Sequence, residues 1–559
     1  MSRPLSKVRP RPPLERSSET LFFAFVMSYL IGTMVVKILV EGPTSPEEDY
    51  ALREGLRTAG FYPVPFEGRE GVLVLYGEGG RELAREGCVV VSVLRDRDLY
   101  RTPVSGEPRI LDGMPFWGRT EPGKLWEVEK VGEGAYLRMR ADIFGNLFQL
   151  LARHEEWGRD PFMPEESFLN ARLDRPTADH YVRVLRTAVE AACGAAGRPC
   201  MYAEFWPGGE PFAAFISHDV DRVRKWTYKR IGYELVRALP IPGRVLKVVR
   251  SAAGSKDPYW NFGRIMAAEE DFGVRSTFFF GTGRYRRRDP SYELSQVEDV
   301  LRKLLEGGWE VGLHASIGSY RDARKLKEEK EKLEAVVGKV CGVRQHFLRL
   351  AVPETWRVQE DAGFLYDATL GYSRREGFRA GTSLPFFPYD PERKDKLNVL
   401  AIPLTVMDTT FTTFRKYDLS RATDVTKELL REVEGSGGAF SVLVHQSSLD
   451  EDEFPYVRTL YLEILKEVKE RGAYVARGMD IAKWWTGRAN LRAEEGVEGD
   501  VRCWRIYAEA ELPGLCLKVG PGTWEVKGGG LRVLPDGMRV KLGPVPAGKV
   551  IYLCARRSG

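Results

Sequence analysis

The sequence predicts an α/β protein centred on a (β/α) barrel, with a small α/β domain before it and a small β-sandwich after it. Three observations carry this expectation. Short continuous apolar runs recur at 213–216, 276–280, 308–313 and 441–444, as buried parallel strands do. Helical stretches separate them. Polar side chains sit where the runs end, and four of the six histidines (His218, His314, His346, His445) are among them. Polar groups at the C-terminal ends of strands are where a barrel builds its site.

Taken in order, residues 1–33 form a leader, basic and proline-rich at first (Arg3, Lys7, Arg9, Arg11, Arg16) and apolar from Leu21 to Val36. Two readings of it stand side by side. Residues 20–36 are a signal anchor, slightly short for a span of about 17–25 residues, and tie the protein to a membrane. Alternatively translation starts at Met34, Val35–Val40 is the first strand and the protein is cytoplasmic.

Residues 34–135 alternate strand and helix signals: strands at 35–40, 71–76 and 89–94, helices at 46–59 and 81–86. This is the small α/β domain. Its Gly77-Glu78-Gly79-Gly80 has the wrong spacing for a dinucleotide fingerprint and reads as a turn. Residues 136–205 are a helical connector. Its apolar stretch Ile143–Leu151 is a packing face that docks the first domain on the barrel.

The barrel occupies 206–487, with helices expected at 258–271, 297–306 and 322–337. The last is highly charged. Leu326, Leu333 and Val336 share one side, and Glu328 and Lys332 form an i,i+4 pair, so the charge is a solvated face. Trp484-Trp485 ends the final helix. Residues 490–559 turn to short alternating strands with turns at 521–522, 528–530 and 536–537, the pattern of a β-sandwich.

Composition narrows the function. A net charge of +5 over 559 residues implies no nucleic-acid partner. The seven cysteines lack zinc-ribbon or redox spacing, and their odd number and wide separation favour reduced thiols.

The chemistry concentrates in Phe215-Ile216-Ser217-His218-Asp219-Val220-Asp221. Carboxylates two residues apart on a strand share a face. Two like charges so close are costly unless a cation lies between them or one is protonated. The pair therefore signals a metal site or an acid/base site; the rival reading is an Asp-rich turn. His314 and His445 end matching strands. His154 and His180 lie in a charged helical region and read as ordinary.

In their order, these motifs resemble those of the polysaccharide deacetylases, a family of metal-dependent carbohydrate esterases, over about residues 210–486. Ser217-His218-Asp219-Val220-Asp221 is similar to that family's first motif, in the variant with one residue between the carboxylates. The resemblance implies Asp219 as general base and Asp221 as metal ligand. Gly312-Leu313-His314 is similar to the second motif and implies His314 as a ligand. Arg349 resembles the third motif's arginine, which holds the base, and His445 resembles the final general acid. Tyr366–Tyr372, Gly377–Gly381 and Pro403–Asp408 resemble the subset that carries His-Asp-Val-Asp. They imply Asp367, Arg379 and Asp408 as substrate-binding residues. The implied fold is a distorted (β/α) barrel, the implied cofactor a divalent metal, zinc first, and the implied partner a glycan.

One position departs from that pattern. The second motif has another histidine four residues after the first, and residue 318 is glycine. His346 is the candidate replacement. It lies three residues before Arg349, about 10 Å down a strand at roughly 3.3 Å per residue. It reaches the metal only if the strand ends early or bulges near Phe347. Strand alternation turns His218 away from Asp219 and Asp221.

The expected activity is hydrolysis of a non-peptide C–N bond, removing an N-acetyl or related acyl group from a glycan. Two alternatives remain: a catalytically degenerate barrel that binds glycans or partners, and a metal hydrolase of a small molecule. Trp226, Tyr259, Trp260, Tyr320, Tyr372 and Phe414 are candidates to stack on sugar rings.

Overall fold

The computed structural model describes residues 35–559, apart from 67–70, 160–163, 165–166, 170–171, 240, 255, 287–288, 291, 499–500, 520–522, 528–530, 534–538 and 557–559. The leader 1–33 and the turns expected at 521–522, 528–530 and 536–537 lie outside the described residues. Among the described residues, no helix is long and apolar enough to cross a membrane.

The first domain is a six-stranded sheet in the order Tyr62–Pro65, Val35–Val40, Val72–Tyr76, Val89–Val93, Gly134–Met139, Trp126–Val131. Only the last pair is antiparallel. Val72–Tyr76 and Val89–Val93 are buried throughout, which is why they read as continuous apolar runs. Helix Pro46–Thr58 starts in a capping box: Ser45 accepts from the Glu48 N–H, and the Glu48 carboxylate accepts from the Ser45 N–H. Past its end, Gly60 has φ +90°, and a Cβ there would lie 2.3 Å from the Ala203 carbonyl oxygen. Only glycine lets the chain pass the connector so closely.

In the connector, helix Ile143–Leu151 is buried along its whole length. Phe148 meets Tyr50 of the first domain at 6.3 Å and Tyr389 of the barrel at 5.5 Å between ring centroids. A longer helix, Thr177–Ala195, follows.

The central sheet is parallel at every pairing. Its order is Leu400–Ala401, Tyr366–Asp367, Gly342–Gln345, Glu310–Ala315, Thr277–Phe280, Ala213–Val220, Ala439–Leu443, Val406–Met407, with Tyr474–Val475 beside Ala213–Val220. The two edge strands are separated by only residues 402–405 of the chain. The edges of the sheet must therefore approach each other, and the sheet curls into a barrel. Helices Phe262–Asp271, Glu298–Glu306 and Ala323–Val337 fall where the apolar spacing places them, the last capped by Asp322 accepting from the Lys325 N–H.

Period-two alternation decides what each strand residue faces. On Ala213–Val220, Phe215 points inward and meets Tyr366 edge-on at 6.3 Å. His218 points outward to the helices, where it bonds Glu269 at 2.8 Å. Residues 222–257, between the first barrel strand and the next helix, carry an element not anticipated from the sequence: a pair of helices, Tyr228–Ala238 and Pro242–Ala252.

The C-terminal residues form two four-stranded antiparallel sheets. One is Arg492–Glu498, Val501–Tyr507, Val550–Arg556, Thr523–Lys527. The other is Leu531–Val533, Arg539–Leu542, Cys516–Lys518, and its last strand is Tyr202–Ala203 from the connector. Cysteines 193, 200, 341 and 516 are buried thiols outside any disulfide.

Candidate active site

The strand ends bring the site together at the C-terminal face of the barrel sheet. Asp219 is buried, and its Oδ1 accepts from Arg344 Nη1 at 2.9 Å. Arg344 is itself buried; its Nε donates to the Ala368 carbonyl at 2.9 Å and its guanidinium lies over Phe279 at 4.5 Å. Burial alone would push the Asp219 carboxyl up, but His314, Arg344 and His445 outweigh it and hold the group below its ordinary value.

This corrects one expectation. Arg344, not Arg349, holds Asp219. Arg349 Nη1 donates to the Ile317 carbonyl at 3.3 Å, and its guanidinium lies over Tyr320 at 3.8 Å. The reason is register. Arg344 pairs with His314 across adjacent parallel strands, and by period two it shares a face with His346. Arg349 lies past the turn that ends the strand.

That same turn settles the position of His346. The strand stops at Gln345, and Phe347 and Leu348 both adopt positive φ, 60° and 52°. The strand thus ends early, at the residue before His346. His346 Nδ1 lies 2.8 Å from His314 Nε2. Asp221 Oδ1 lies 3.1 Å from His314 Nε2 and 3.4 Å from His346 Nδ1.

These three side chains fit a divalent metal on several counts. Asp221, His314 and His346 each offer one ligand atom, all within 4.8 Å of one another. A tetrahedral site with bonds of about 2.0–2.1 Å spaces its ligand atoms roughly 3.3–3.4 Å apart, close to the distances found. Asp221 Oδ1 is buried without a hydrogen-bond partner, an orphaned acceptor that a cation would satisfy. His314 Nδ1 lies 3.2 Å from the Arg344 carbonyl, which can only accept. That contact needs the proton on Nδ1, which in the neutral ring leaves the Nε2 lone pair for a cation. Histidine neighbours outweigh burial at Asp221 too, holding its carboxyl far below the ordinary value.

The imidazole on the opposite side is His445. Its Nδ1 donates to Asp408 Oδ1 at 2.7 Å, and its backbone N–H donates to Asp408 Oδ2 at 2.8 Å. Nε2 is left facing the site, 3.8 Å from Asp221 Oδ2. Burial disfavours the charged ring, but Asp408, Asp221 and Asp219 push its pKa up to about 10. Asp408, expected at the substrate, is found holding the imidazole through both of its carboxylate oxygens. Met407 pairs with Leu443, so one step further on each strand sets Asp408 beside Val444 and His445.

Two more expectations are corrected. Asp367 is fully buried and accepts from Trp356 Nε1 at 3.0 Å, Gln359 Nε2 at 2.9 Å and Thr369 Oγ1. It satisfies the interior and has no access to a ligand. Arg379 is also buried; its Nη2 pairs with Glu156 Oε2 at 2.6 Å, tying barrel to connector. The Glu156 carboxyl is drawn down to about 2, because Arg153 and Arg379 outweigh its burial.

Of the candidate stacking residues, Tyr259 and Tyr372 are buried, while Trp260 and Phe414 are exposed. Sequence reasoning missed Phe347, which is exposed with its ring 4.3 Å from that of His346. It also missed Arg344, though alternation with His346 was available as a signal.

No family model and no curated protein matches the chain. Solved structures resemble parts of it. A putative polysaccharide deacetylase from Mycobacterium smegmatis is 18% identical, with a TM-score of 0.34, covering 50% of this chain and 91% of its own. A probable polysaccharide deacetylase from Pseudomonas aeruginosa is 17% identical, with a TM-score of 0.36, covering 52% and 96%. The PuuE allantoinase is 17% identical, with a TM-score of 0.36, covering 50% and 92%. The similarity to these solved structures extends over about half of the chain.

Proposed function

We propose that the chain is a metal-dependent hydrolase that removes an N-acetyl or related acyl group from an amino sugar of a glycan. One observation carries the reading: a carboxylate held by an arginine, three metal-type ligands and an imidazole held by a carboxylate converge on one end of a parallel sheet. Such a set supplies each role that amide hydrolysis needs, at a place where barrels put their sites.

Asp221, His314 and His346 would hold the cation, which when bound supplies Lewis acidity at the acyl oxygen and a more acidic water. Asp219 accepts a proton from the attacking water as the new C–O bond forms. Arg344 keeps that carboxylate ionised and aimed. His445 Nε2 gives its proton to the amine nitrogen as the C–N bond breaks. Asp408 fixes the ring and compensates its charge until that transfer. The products are a carboxylate and a free amine.

The missing histidine at 318 is what motivates a degenerate, binding-only barrel, and His346 supplies a third ligand in its place. The test measures bound metal in purified protein together with acetate released from acetylated amino-sugar oligomers. Stoichiometric metal with acetate release is expected. Metal-loaded protein that releases none, over a range of acylated amino sugars, would overturn the reading.

A further inference from the structure

The helical pair Tyr228–Ala238 and Pro242–Ala252 begins seven residues after Asp221 and contributes nothing to the chemistry above. Apolar side chains on it face solvent: Tyr233, Val236, Leu239, Ile241, Leu246 and Val249 are 45–67% exposed. Residues 233, 236 and 239, and again 246 and 249, are spaced by three, so each set lies along one helix face. The only side chain buried on the first helix is Ala238.

The charge of the segment is equally one-sided. Residues 222–256 contain ten Lys or Arg and one Glu, a local charge of +9 in a chain whose net charge is +5. Arg237, Arg244 and Arg250 are exposed on the helices. Other cations fasten the element in place. Lys225 pairs with Asp450, Arg230 with Glu453 at 2.9 Å and Lys247 with Asp452 at 2.5 Å. Those acidic residues belong to the loop that follows His445. The pair of helices is thus bolted beside the site, with an apolar and cationic face turned out.

Amphipathic basic helices with exposed aliphatic and aromatic side chains lie in the interface of a bilayer. Anionic headgroups answer the cations, and the acyl boundary takes the aliphatic groups. A nucleic acid would answer only the cations and leave the aliphatic side chains in water.

We propose that this hairpin is a docking surface for an anionic lipid bilayer, and that it brings the site to glycans carried at that surface. The second clause rests on the hydrolase reading; the first stands without it.

The test uses the full chain and measures binding, with no turnover involved, so the two readings fail separately. The protein is sedimented with vesicles of phosphatidylcholine alone or mixed with phosphatidylglycerol, at low and high salt. Amide hydrogen exchange is followed in parallel. Binding to the anionic vesicles only, weakened by salt, with exchange slowed across 228–252, is expected. The triple variant Arg237→Glu, Arg244→Glu, Arg250→Glu and the triple variant Val236→Ser, Leu239→Ser, Leu246→Ser should each bind about tenfold or more weakly. Both sets change exposed positions, and unaltered melting confirms that they fold. Three outcomes would overturn the proposal. Unchanged vesicle binding in both variants, without protection at 228–252, places the membrane contact elsewhere. Protection that rises with protein concentration and needs no vesicles assigns the face to a second copy. Binding to duplex DNA but to no vesicle assigns it to a polyanion.

Discussion

Arg344 Nη1 lies 2.9 Å from Asp219 Oδ1, with guanidinium and carboxylate both shut away from solvent. A buried carboxylate without a cation protonates instead of ionising. The pair therefore keeps the Asp219 carboxylate ionised, and its loss has a defined signature.

Arg344→Met should raise the Asp219 pKa by about 1–3 units. The base must be ionised, so the acid limb of the pH–rate profile moves to higher pH and the rate at neutral pH falls. Arg344→Lys should not restore it, because one ammonium cannot serve both Asp219 and the Ala368 carbonyl in the guanidinium's geometry. Arg349→Met should leave the acid limb in place. The opposite pattern in the two methionine variants would return the role to Arg349.

Asp221→Ala, His314→Ala and His346→Ala should each lose metal on dialysis against a weak chelator, measured by elemental analysis. Asp219→Asn and His445→Ala should keep it while lowering turnover by about 10²–10⁴-fold, the usual span for acid–base groups. Stoichiometric metal in dialysed His346→Ala would remove that side chain from the ligand set.

His445, with a pKa of about 10 in the metal-free protein, should stay protonated through neutral pH. Its raised value comes mainly from Asp408, with Asp221 and Asp219 adding to it. Asp408→Asn should therefore shift the ring's titration, read by NMR, to lower pH. For turnover, a general acid must carry its proton, so the alkaline limb should move to lower pH in the same variant. A titration unmoved by Asp408→Asn would mean that the contact orients the ring without holding its charge.

Much of this site is legible in the chain because it rests on local periodicity. An apolar run followed by His314 or His445 marks a strand end whatever surrounds it, and the two-residue spacing of Asp219 and Asp221 fixes a shared face. Arg349 for Arg344 is an error of register: alternation sets Arg344 on the face of His346, and pairing with the His314 strand shows that this face is the inward one. Asp367 and Arg379 look like polar loop residues because their partners, Trp356, Gln359 and Glu156, are assembled by tertiary packing. The helices at 228–252 have an amphipathic pattern that normally signals a buried face, and only the structure shows that nothing in the described chain covers it.

Arg488 gives the last prediction, about the joint between the domains. It is buried at the end of the final barrel helix. Its Nη1 donates to the Arg57 carbonyl at 3.1 Å and its Nη2 to those of Thr58 and Ala203, each at 3.1 Å, while Nε donates to Glu204 at 2.8 Å. Arg57 and Thr58 end the first domain's helix, where carbonyls lack helical partners and the dipole favours a cation. Ala203 belongs to the connector strand that completes a C-terminal sheet. One side chain thus satisfies acceptors from both the first domain and the connector. Burial costs it: the pKa is lowered to about 10, with Arg186 adding to the effect. Arg488→Met keeps the aliphatic packing but leaves the Thr58 and Glu204 carbonyls without that donor, each worth about 1–3 kcal/mol when buried, while the Arg57 and Ala203 carbonyls still accept from the Gly60 N–H and from Arg186. Relaxation recovers part of that, so the net loss should be about 2–4 kcal/mol. A chain of several domains need not unfold in one step, so the readout is the first transition in urea, with limited proteolysis near residues 58–60 and 203–204. Faster cleavage there, with the metal site still able to hold its ion, is expected. An unchanged first transition would show that the joint is held by apolar contact alone.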